Sequence, residues 1–496
     1  MTAGAATIDS GALLVVSIML PVTGMLAVIV SPARRSEQVA LVILAASLLT
    51  AVATAAEVLR TGEPIEYLLG NWRPPLGVAL RADGLSVTLM VMASIVLSCV
   101  GLYASGSYLA PPDAHHSRSR TVFWTLLLGL SVALNTAFLA QDLFTLFVAL
   151  ELLTFSAVAL VALDGRPTSL EAALRYLLLA LAGSVFYLVG TAVLYGAYGR
   201  LDLSGLRQIS RDDLATTFAL SLMMTGLLVK TALFPMHLWL PPAHAGAPAA
   251  ASALLSALVV KAPFFLIVLL WTGIAPRPFS VIAGQVLAIL GMASIVFCSV
   301  MALRQSRLKL MIAYSTVAQV GYLFLVFPLT IGGTANLAWS GCVLQLVSHA
   351  FAKASMFLAA GVIAEVMGHD RISNLKGTFH AVPITLTAFA LAGLSLIGLP
   401  ISGGFSAKYM LLTAATEIGA WWIAGTILVG GLLAAGYVFK VLGQALAPPA
   451  EGFAAARSIP LHRELVVLVL ASAAIAMGFL PLDPLPFITI GRMGLP

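Results

Sequence analysis

Long apolar segments recur along this chain from one end to the other, and that recurrence limits its fold more than any other feature. Runs of roughly eighteen residues or more can cross a bilayer as α-helices. They fall near 12–30, 39–56, 84–109, 121–140, 143–163, 170–197, 215–240, 248–273, 279–303, 308–328, 337–366, 381–416, 420–443 and 464–485. Inside the hydrocarbon layer the backbone must satisfy its own polar groups, and the alternation of barrel strands is absent. The fourteen segments therefore predict an all-α polytopic membrane protein. Composition agrees, with 60% hydrophobic and 9% charged residues among 496, where soluble proteins carry about 25% charged. The first segment has no basic flank before it and no small-residue cleavage site after it, so it is read as a retained helix.

The net charge of +6 reflects loop residues and does not point to nucleic acid. Cys99, Cys298 and Cys342 are isolated in apolar segments, with no Cys-x-x-Cys pair. No phosphate-binding glycine loop and no flavin or haem signature is found. The chain is expected to carry no cofactor, no metal and no redox site of its own.

Two segments are interrupted. The seventh, 215–240, contains Leu-Phe-Pro-Met-His and is followed by Pro241 and Pro242; the twelfth, 381–416, contains Gly-Leu-Pro-Ile-Ser-Gly-Gly with Pro400, Gly403 and Gly404. Proline removes a backbone donor and glycine permits unusual dihedrals, so both helices are expected to break in mid-membrane. Two ordinary proline kinks would have the same composition. Broken helices in corresponding positions are the sign of an inverted-repeat transporter. Basic residues in the connections give twelve after odd-numbered segments (Arg34, Arg35, Arg118, Arg120, Arg166, Arg304, Arg307, Lys309, Arg371, Lys376, Arg457, Arg463) and eight elsewhere (Arg60, Arg73, Arg81, Arg200, Arg207, Arg211, Arg277, Arg492). This bias places both termini outside. The polar stretch 57–83 is expected to form a short hairpin on the outer face.

Charge inside the segments carries the functional signal. Of seven lysines, Lys230, Lys261, Lys353, Lys408 and Lys440 lie in apolar segments, where each costs at least about 2.5–3.5 kcal/mol. Glu151 is the carboxylate near the middle of the fifth segment, and Lys230 or Arg175 on a neighbouring helix is its expected partner. A static ion pair is the bland reading; a titratable partner of a proton-carrying lysine is the sharper one. His244 and His237 follow Lys230 in the interrupted region, and histidine titrates near neutral pH. His349 and Lys353 are spaced i, i+4 and face one side of a helix, with Ser348 and Ser355 adding hydroxyls. Lys440 lies near a helix end and can snorkel. A zinc set is disfavoured because lysines interleave with the histidines, and Na⁺ or K⁺ would want clustered oxygens. Proton transfer fits the pattern best.

The run Lys230-Thr-Ala-Leu-Phe-Pro-Met-His-Leu-Trp-Leu-Pro-Pro-Ala-His-Ala-Gly-Ala-Pro, continuing through Ser252-Ala-Leu-Leu-Ser to Lys261, resembles the antiporter-like membrane subunits of respiratory complex I, Mrp-type cation/proton antiporters and membrane-bound hydrogenases. Further matches are Arg81-Ala-Asp83-Gly-Leu-Ser, Glu151, Ile312-Ala-Tyr-Ser-Thr-Val-Ala-Gln-Val-Gly, Ser348-His349 through Lys353, Arg371-Ile-Ser-Asn-Leu-Lys-Gly, and Gly398-Leu-Pro-Ile-Ser-Gly-Gly-Phe-Ser-Ala-Lys408. The resemblance spans roughly 80–445 and its motifs are jointly specific. It implies fourteen helices, with helices 4–8 and 9–13 as inverted repeats. The expected division is residues 1–120 for helices 1–3 and the hairpin, 121–273 and 274–445 for the repeats, and 446–496 for helix 14 and the tail. It also implies a hydrated polar axis: Glu151 with Lys230 as ion pair, Lys261 as central lysine, His349 and Lys353 as bridge, Lys408 as terminal site, and His244 beside them.

Departures are visible. Pro242 replaces an acidic or small polar residue, Arg307 and Leu310 replace the Asp and Arg of Asp-Leu-Lys-Arg, and Gln319 stands where some members have histidine. Lys408 stands where one complex I subunit type has glutamate. The first functional reading is therefore the D-type component of an Mrp-type Na⁺/H⁺ antiporter. The alternative is a proton-pumping subunit of a complex I-like NADH:quinone oxidoreductase or a membrane-bound hydrogenase. A scaffold and an inorganic-carbon uptake component are weaker readings. The expected partners are other membrane subunits, protons, Na⁺ and the lipid bilayer of the cell inner (plasma) membrane, without nucleic acid.

Overall fold

The computed structural model describes residues 10–106, 114–330, 334–449, 456–479 and 485–491, with backbone alone for 10, 33–34, 114–118 and 485–486. Arg34, Arg118 and Arg492 of the loop count have side chains outside the described residues. Helices α1 (Ser10–Val30) and α2 (Ala33–Thr61) precede an antiparallel hairpin of β1 (Ile65–Leu68) and β2 (Ala79–Ala82), with Ile65 opposite Ala82. Next come α3 (Gly84–Ala104), α4 (Ala114–Leu139), α5 (Leu143–Val161), α6 (Pro167–Tyr198), short α7 (Leu203–Ile209), α8 (Leu214–Thr231) and short α9 (Leu240–Gly246). The second part holds α10 (Ala249–Leu254), α11 (Lys261–Gly273), α12 (Arg277–Arg304), α13 (Leu308–Phe324), α14 (Val326–Leu329) and α15 (Ala335–Met367). It ends with α16 (Thr378–Ala381), α17 (Pro383–Ile397), α18 (Gly403–Glu417), α19 (Trp421–Ala445), α20 (Leu461–Ala476) and α21 (Leu485–Ile488).

Among the described residues, thirteen helical stretches are long and apolar enough to cross a membrane. The expected segment 381–416 is two shorter helices, α17 and α18, so it is not among the thirteen. Apolar side chains such as Leu26, Leu49, Leu174, Leu178 and Leu432 face outward, as in a protein whose surface meets lipid rather than water.

Local chemistry sets the helix ends. Asp83, Asp142, Asp202 and Asp213 each accept a hydrogen bond from a first-turn N–H, on Ser86, Thr145, Gly205 and Thr216, at 2.7–2.8 Å. These carboxylates are N-caps at the ends of helices. The connections gather at two ends of the bundle. Arg81, Asp83, Gln141 and Arg207 line one recess; Asp164, Arg166, Arg307 and Asp370 line another.

Both expected breaks are present. Helix α8 stops after Thr231, where Ala232 takes a left-handed conformation at φ 55°, and the Val229 carbonyl accepts from both the Ala232 N–H at 3.1 Å and the Trp239 indole at 2.9 Å. Helix α17 stops at Ile397, followed by Gly398 at φ 86°. A third irregularity joins them, one that the sequence reading does not contain. Between α10 and α11 the chain makes a π-helical turn over Leu255–Val259. Pro263 lies two residues after Lys261 and cannot donate to the Val259 carbonyl, which favours such a turn.

Close helix crossings use glycine pairs, as expected where small residues let backbones approach. A Cβ on Gly226 of α8 would lie 2.2 Å from the Gly183 carbonyl oxygen of α6, and one on Gly321 of α13 would lie 2.5 Å from the Gly291 carbonyl oxygen of α12. Gly226→Ala is expected to lower the thermal midpoint of the detergent-solubilised protein by the equivalent of about 1–3 kcal/mol. Gly196→Ala, where a Cβ meets nothing within 4 Å, should not lower it. Equal melting of both variants and wild type would show that the α6–α8 crossing does not depend on this contact.

Candidate functional site

The candidate residues fall into three lysine-bearing clusters; apart from them, buried Arg463 pairs with Glu365 and donates to the Tyr103 hydroxyl, and Glu464 accepts from Thr385. In the first, Lys230 at the end of α8 donates to Glu151 on α5 at 3.1 Å and to the Thr154 hydroxyl at 2.9 Å. Ser184 on α6 donates to the same carboxylate. Lys230 is 5% exposed and Glu151 16%, so the carboxylate is the outer member of the pair. Of the two expected partners for Glu151, Lys230 is the one found. Arg175 instead reaches Glu171 one turn earlier on the exposed side of α6 at 3.4 Å, because α6 turns that position away from α5.

The second cluster surrounds the π-turn. Lys261 is fully buried and donates to the Ser256 carbonyl at 3.0 Å. The Ser256 hydroxyl meets Thr316 of α13 at 2.8 Å. Next to Thr316, Ser315 accepts a hydrogen bond from Lys353 of α15, which also donates to the Ile312 carbonyl at 3.2 Å. His349 lies one turn from Lys353 and within electrostatic reach of Lys261, Lys353 and Lys408. His244 is buried and stacks on Phe357 with centroids 4.4 Å apart, within electrostatic reach of Lys353 and Lys309. The ring nitrogens of both histidines make no hydrogen bond among the described residues.

The third cluster is the second break. Lys408 of α18 donates to the Leu396 and Ile397 carbonyls at the end of α17, the latter at 3.1 Å, and its ammonium sits 4.6 Å from the Tyr322 ring centroid. No carboxylate meets it among the described residues. The negative end of a helix and an aromatic face hold the charge instead. Gln319 donates to the Leu396 carbonyl at 3.2 Å and accepts from Gln345 at 2.9 Å. Ser348 meets Ser395 at 3.0 Å, but Ser355 turns to the Val467 carbonyl of α20 and does not serve the interior line.

Ser184, Thr154, Ser256, Ser315, Thr316, Gln319, Gln345 and Tyr322 join the site without standing out in the sequence. A signal exists for some of them: Ser315, Gln319 and Tyr322 recur at i, i+4 and i+7 in an otherwise apolar segment, the spacing of one helix face. Two other lysines serve locally. Lys440 is exposed and donates to the Leu303 and Gln305 carbonyls at 2.8 and 2.9 Å. Lys309, read as a loop charge, donates to the Ala247 carbonyl at 3.0 Å. His237 packs on Phe234 rather than joining a cluster.

A polytopic α-helical protein with buried lysines at two helix breaks belongs to the ion-translocating membrane proteins built on broken helices. The transmembrane family described as "NADH:quinone oxidoreductase/Mrp antiporter, TM" matches residues 140–434, and this chain belongs to it. The N-type component of the NADH-quinone oxidoreductase of Desulforudis audaxviator is 37% identical over 412 residues, covering 82% of this chain and 80% of the relative. The D-type component of the Na⁺/H⁺ antiporter of Alkalihalophilus pseudofirmus is 29% identical over 399 residues, covering 79% of this chain and 78% of the relative. A chain of the membrane-bound sulfane sulfur reductase, an archaeal respiratory membrane complex, superimposes with a TM-score of 0.86 at 27% identity over 96% of each chain.

Removing one partner of a buried ion pair strands the other, at a cost of about 3–5 kcal/mol, while replacing both with apolar residues is far less costly. Glu151→Leu and Lys230→Leu should each lower the melting temperature of the purified protein, and the double variant should melt above either. A double variant melting below both singles would show that the pair is not a mutually dependent unit.

Proposed function

We propose that this chain translocates protons across the cell inner membrane along Glu151, Lys230, Lys261, His349, Lys353 and Lys408, with His244 alongside, as the D-type component of an Mrp-like Na⁺/H⁺ antiporter. The observation that carries this reading is the burial of four lysines with one carboxylate, Glu151, at one end of the series. A scaffold would gain stability from leucine at each of these positions. Lysine can release and rebind a proton where arginine cannot.

Glu151 lies on the face of α5 that also carries exposed Phe144, Val148 and Phe155. A neighbouring subunit packed there would sit against the outer member of the pair. A change on that neighbour would draw Glu151 away from Lys230. The unpaired ammonium in a low-dielectric site then loses its proton more readily, and the proton passes through the Lys261 and Lys353 clusters to Lys408, which exchanges it with one side. In this reading the repeats span 121–273 and 274–445, and the loops holding Arg166 and Arg307 face inward, as the distribution of basic residues argues.

The higher identity to the N-type relative favours a second reading, in which redox chemistry in a partner drives the same proton path. Everted vesicles containing the assembled complex separate the two. Na⁺ addition dissipates an imposed pH gradient under the first reading, and NADH addition builds one under the second. Under either, Glu151→Ala and Lys230→Ala should abolish proton movement at normal membrane levels of the protein. Lys408→Ala should do the same, and Lys408→Glu should retain part of the activity. Wild-type proton movement in both Glu151→Ala and Lys230→Ala would overturn the assignment.

A further inference from the structure

We infer that a basic surface cavity at the start of α6 binds the phosphate of an anionic phospholipid and thereby braces the first helix break. The cavity measures about 300 Å³ and is lined by Arg166, Thr168, Glu171 and Arg175 of the α6 region, Pro242 of α9, and Arg307 ahead of α13. Three guanidinium groups and one carboxylate line it, and Asp164 and Asp370 stand just outside as partners of Arg166 and Arg307. Each arginine is more than half exposed and its present carboxylate contact is loose or partial. Arg166 lies 3.8 Å from Asp164, Arg175 lies 3.4 Å from Glu171, and Arg307 offers only its Nε to Asp370, at 3.1 Å. Exposed pairs of this kind contribute little, and a phosphate can compete for the donors they leave available.

Two of the chain's departures from the family pattern meet in this cavity. Pro242 stands where an acidic or small polar residue is usual, and Arg307 stands where Asp is usual. Arg307 supplies one of the three guanidinium groups of this recess.

The surface beside the cavity points to lipid rather than a free anion. Leu170, Leu174 and Leu178 are exposed at 49%, 56% and 60% and succeed one another at four-residue spacing along α6. They form an apolar track running down the helix from the basic cavity, the arrangement that an acyl chain below a bound headgroup requires. Basic recesses between membrane helices are suited to such headgroups. The headgroup would touch both α6 and α9, the short helix that carries His244. Ser169 of α6 already donates to the Gly246 carbonyl of α9 at 2.8 Å, so the ligand would reinforce an existing seam.

The test uses the full chain, in its complex where one forms, delipidated in mild detergent and titrated with phosphatidylglycerol while thermal unfolding is followed. Phosphatidylglycerol should raise the melting temperature, whereas phosphatidylcholine and soluble glycerol phosphate at equal concentration should not. At about fivefold per cation, Arg166→Gln/Arg307→Gln should need roughly 25-fold more phosphatidylglycerol for the half-maximal shift. Arg211→Gln, at the other end of the bundle, should match wild type. Comparing each variant with its own lipid-free melting point removes any effect on intrinsic stability. An unchanged lipid requirement in the double variant would overturn the site. An equal shift with glycerol phosphate would replace lipid by a free anion, and an equal shift with phosphatidylcholine would reduce the effect to apolar contact; either overturns the proposal.

Discussion

Within a bilayer, a backbone carbonyl released by an irregular helix needs a donor, and much of this structure follows from how that need is met. Five of the seven lysines donate to main-chain carbonyls: Lys261 to Ser256, Lys309 to Ala247, Lys353 to Ile312, Lys408 to Leu396 and Ile397, and Lys440 to Leu303 and Gln305. The Ile312 carbonyl lies within α13 and also accepts from the Ser315 and Thr316 hydroxyls, and Lys440 is exposed. At the π-turn and at the second break a buried ammonium, Lys261 or Lys408, meets a carbonyl at the irregularity, and the two costs offset one another. The same pairing leaves the ammonium without a fixed counter-charge, so its proton is not locked in place. Lys230 differs because the Val229 carbonyl at its break is already met by the Ala232 N–H and the Trp239 indole. That leaves Lys230 to Glu151, and makes its charge state answerable to a carboxylate that lies nearer the surface.

The membrane segments and both expected breaks are legible in the sequence, since apolar length and Pro–Gly chemistry act locally. The ion pair is legible down to two candidates. Choosing Lys230 over Arg175 requires knowing which face of α6 turns toward α5, a rotation that a nearly uniform apolar helix does not encode. The π-turn before Lys261 is not legible although Pro263 is in view, because a proline in a helix can be absorbed by a kink, a break or a bulge, and packing decides which. The hydroxyl and amide side chains around the lysines stay hidden for a related reason. Ser, Thr and Gln are common in membrane helices, and only the packing of α13 gives Ser315 its contact with Lys353 of α15, Thr316 its contact with Ser256 of the π-turn, and Gln319 its contacts with Gln345 and the Leu396 carbonyl.

Membership of the family rests on residues 140–434, and the interior described above lies within that span. Its relatives include both a component of a redox complex and a component of a cation antiporter. In the proposed mechanism either kind of partner would act in the same way, by moving Glu151 away from Lys230.

Helix α13 presents Ser315 to Lys353, Gln319 to the end of α17, and Tyr322 to Lys408, all from one side. A helix turns about 100° per residue. Any rotation of α13 by a single residue would carry all three contacts away together. The Lys353 and Lys408 clusters are therefore geared to one shaft: they cannot be engaged or released independently by that helix, and whatever turns it sets both at once.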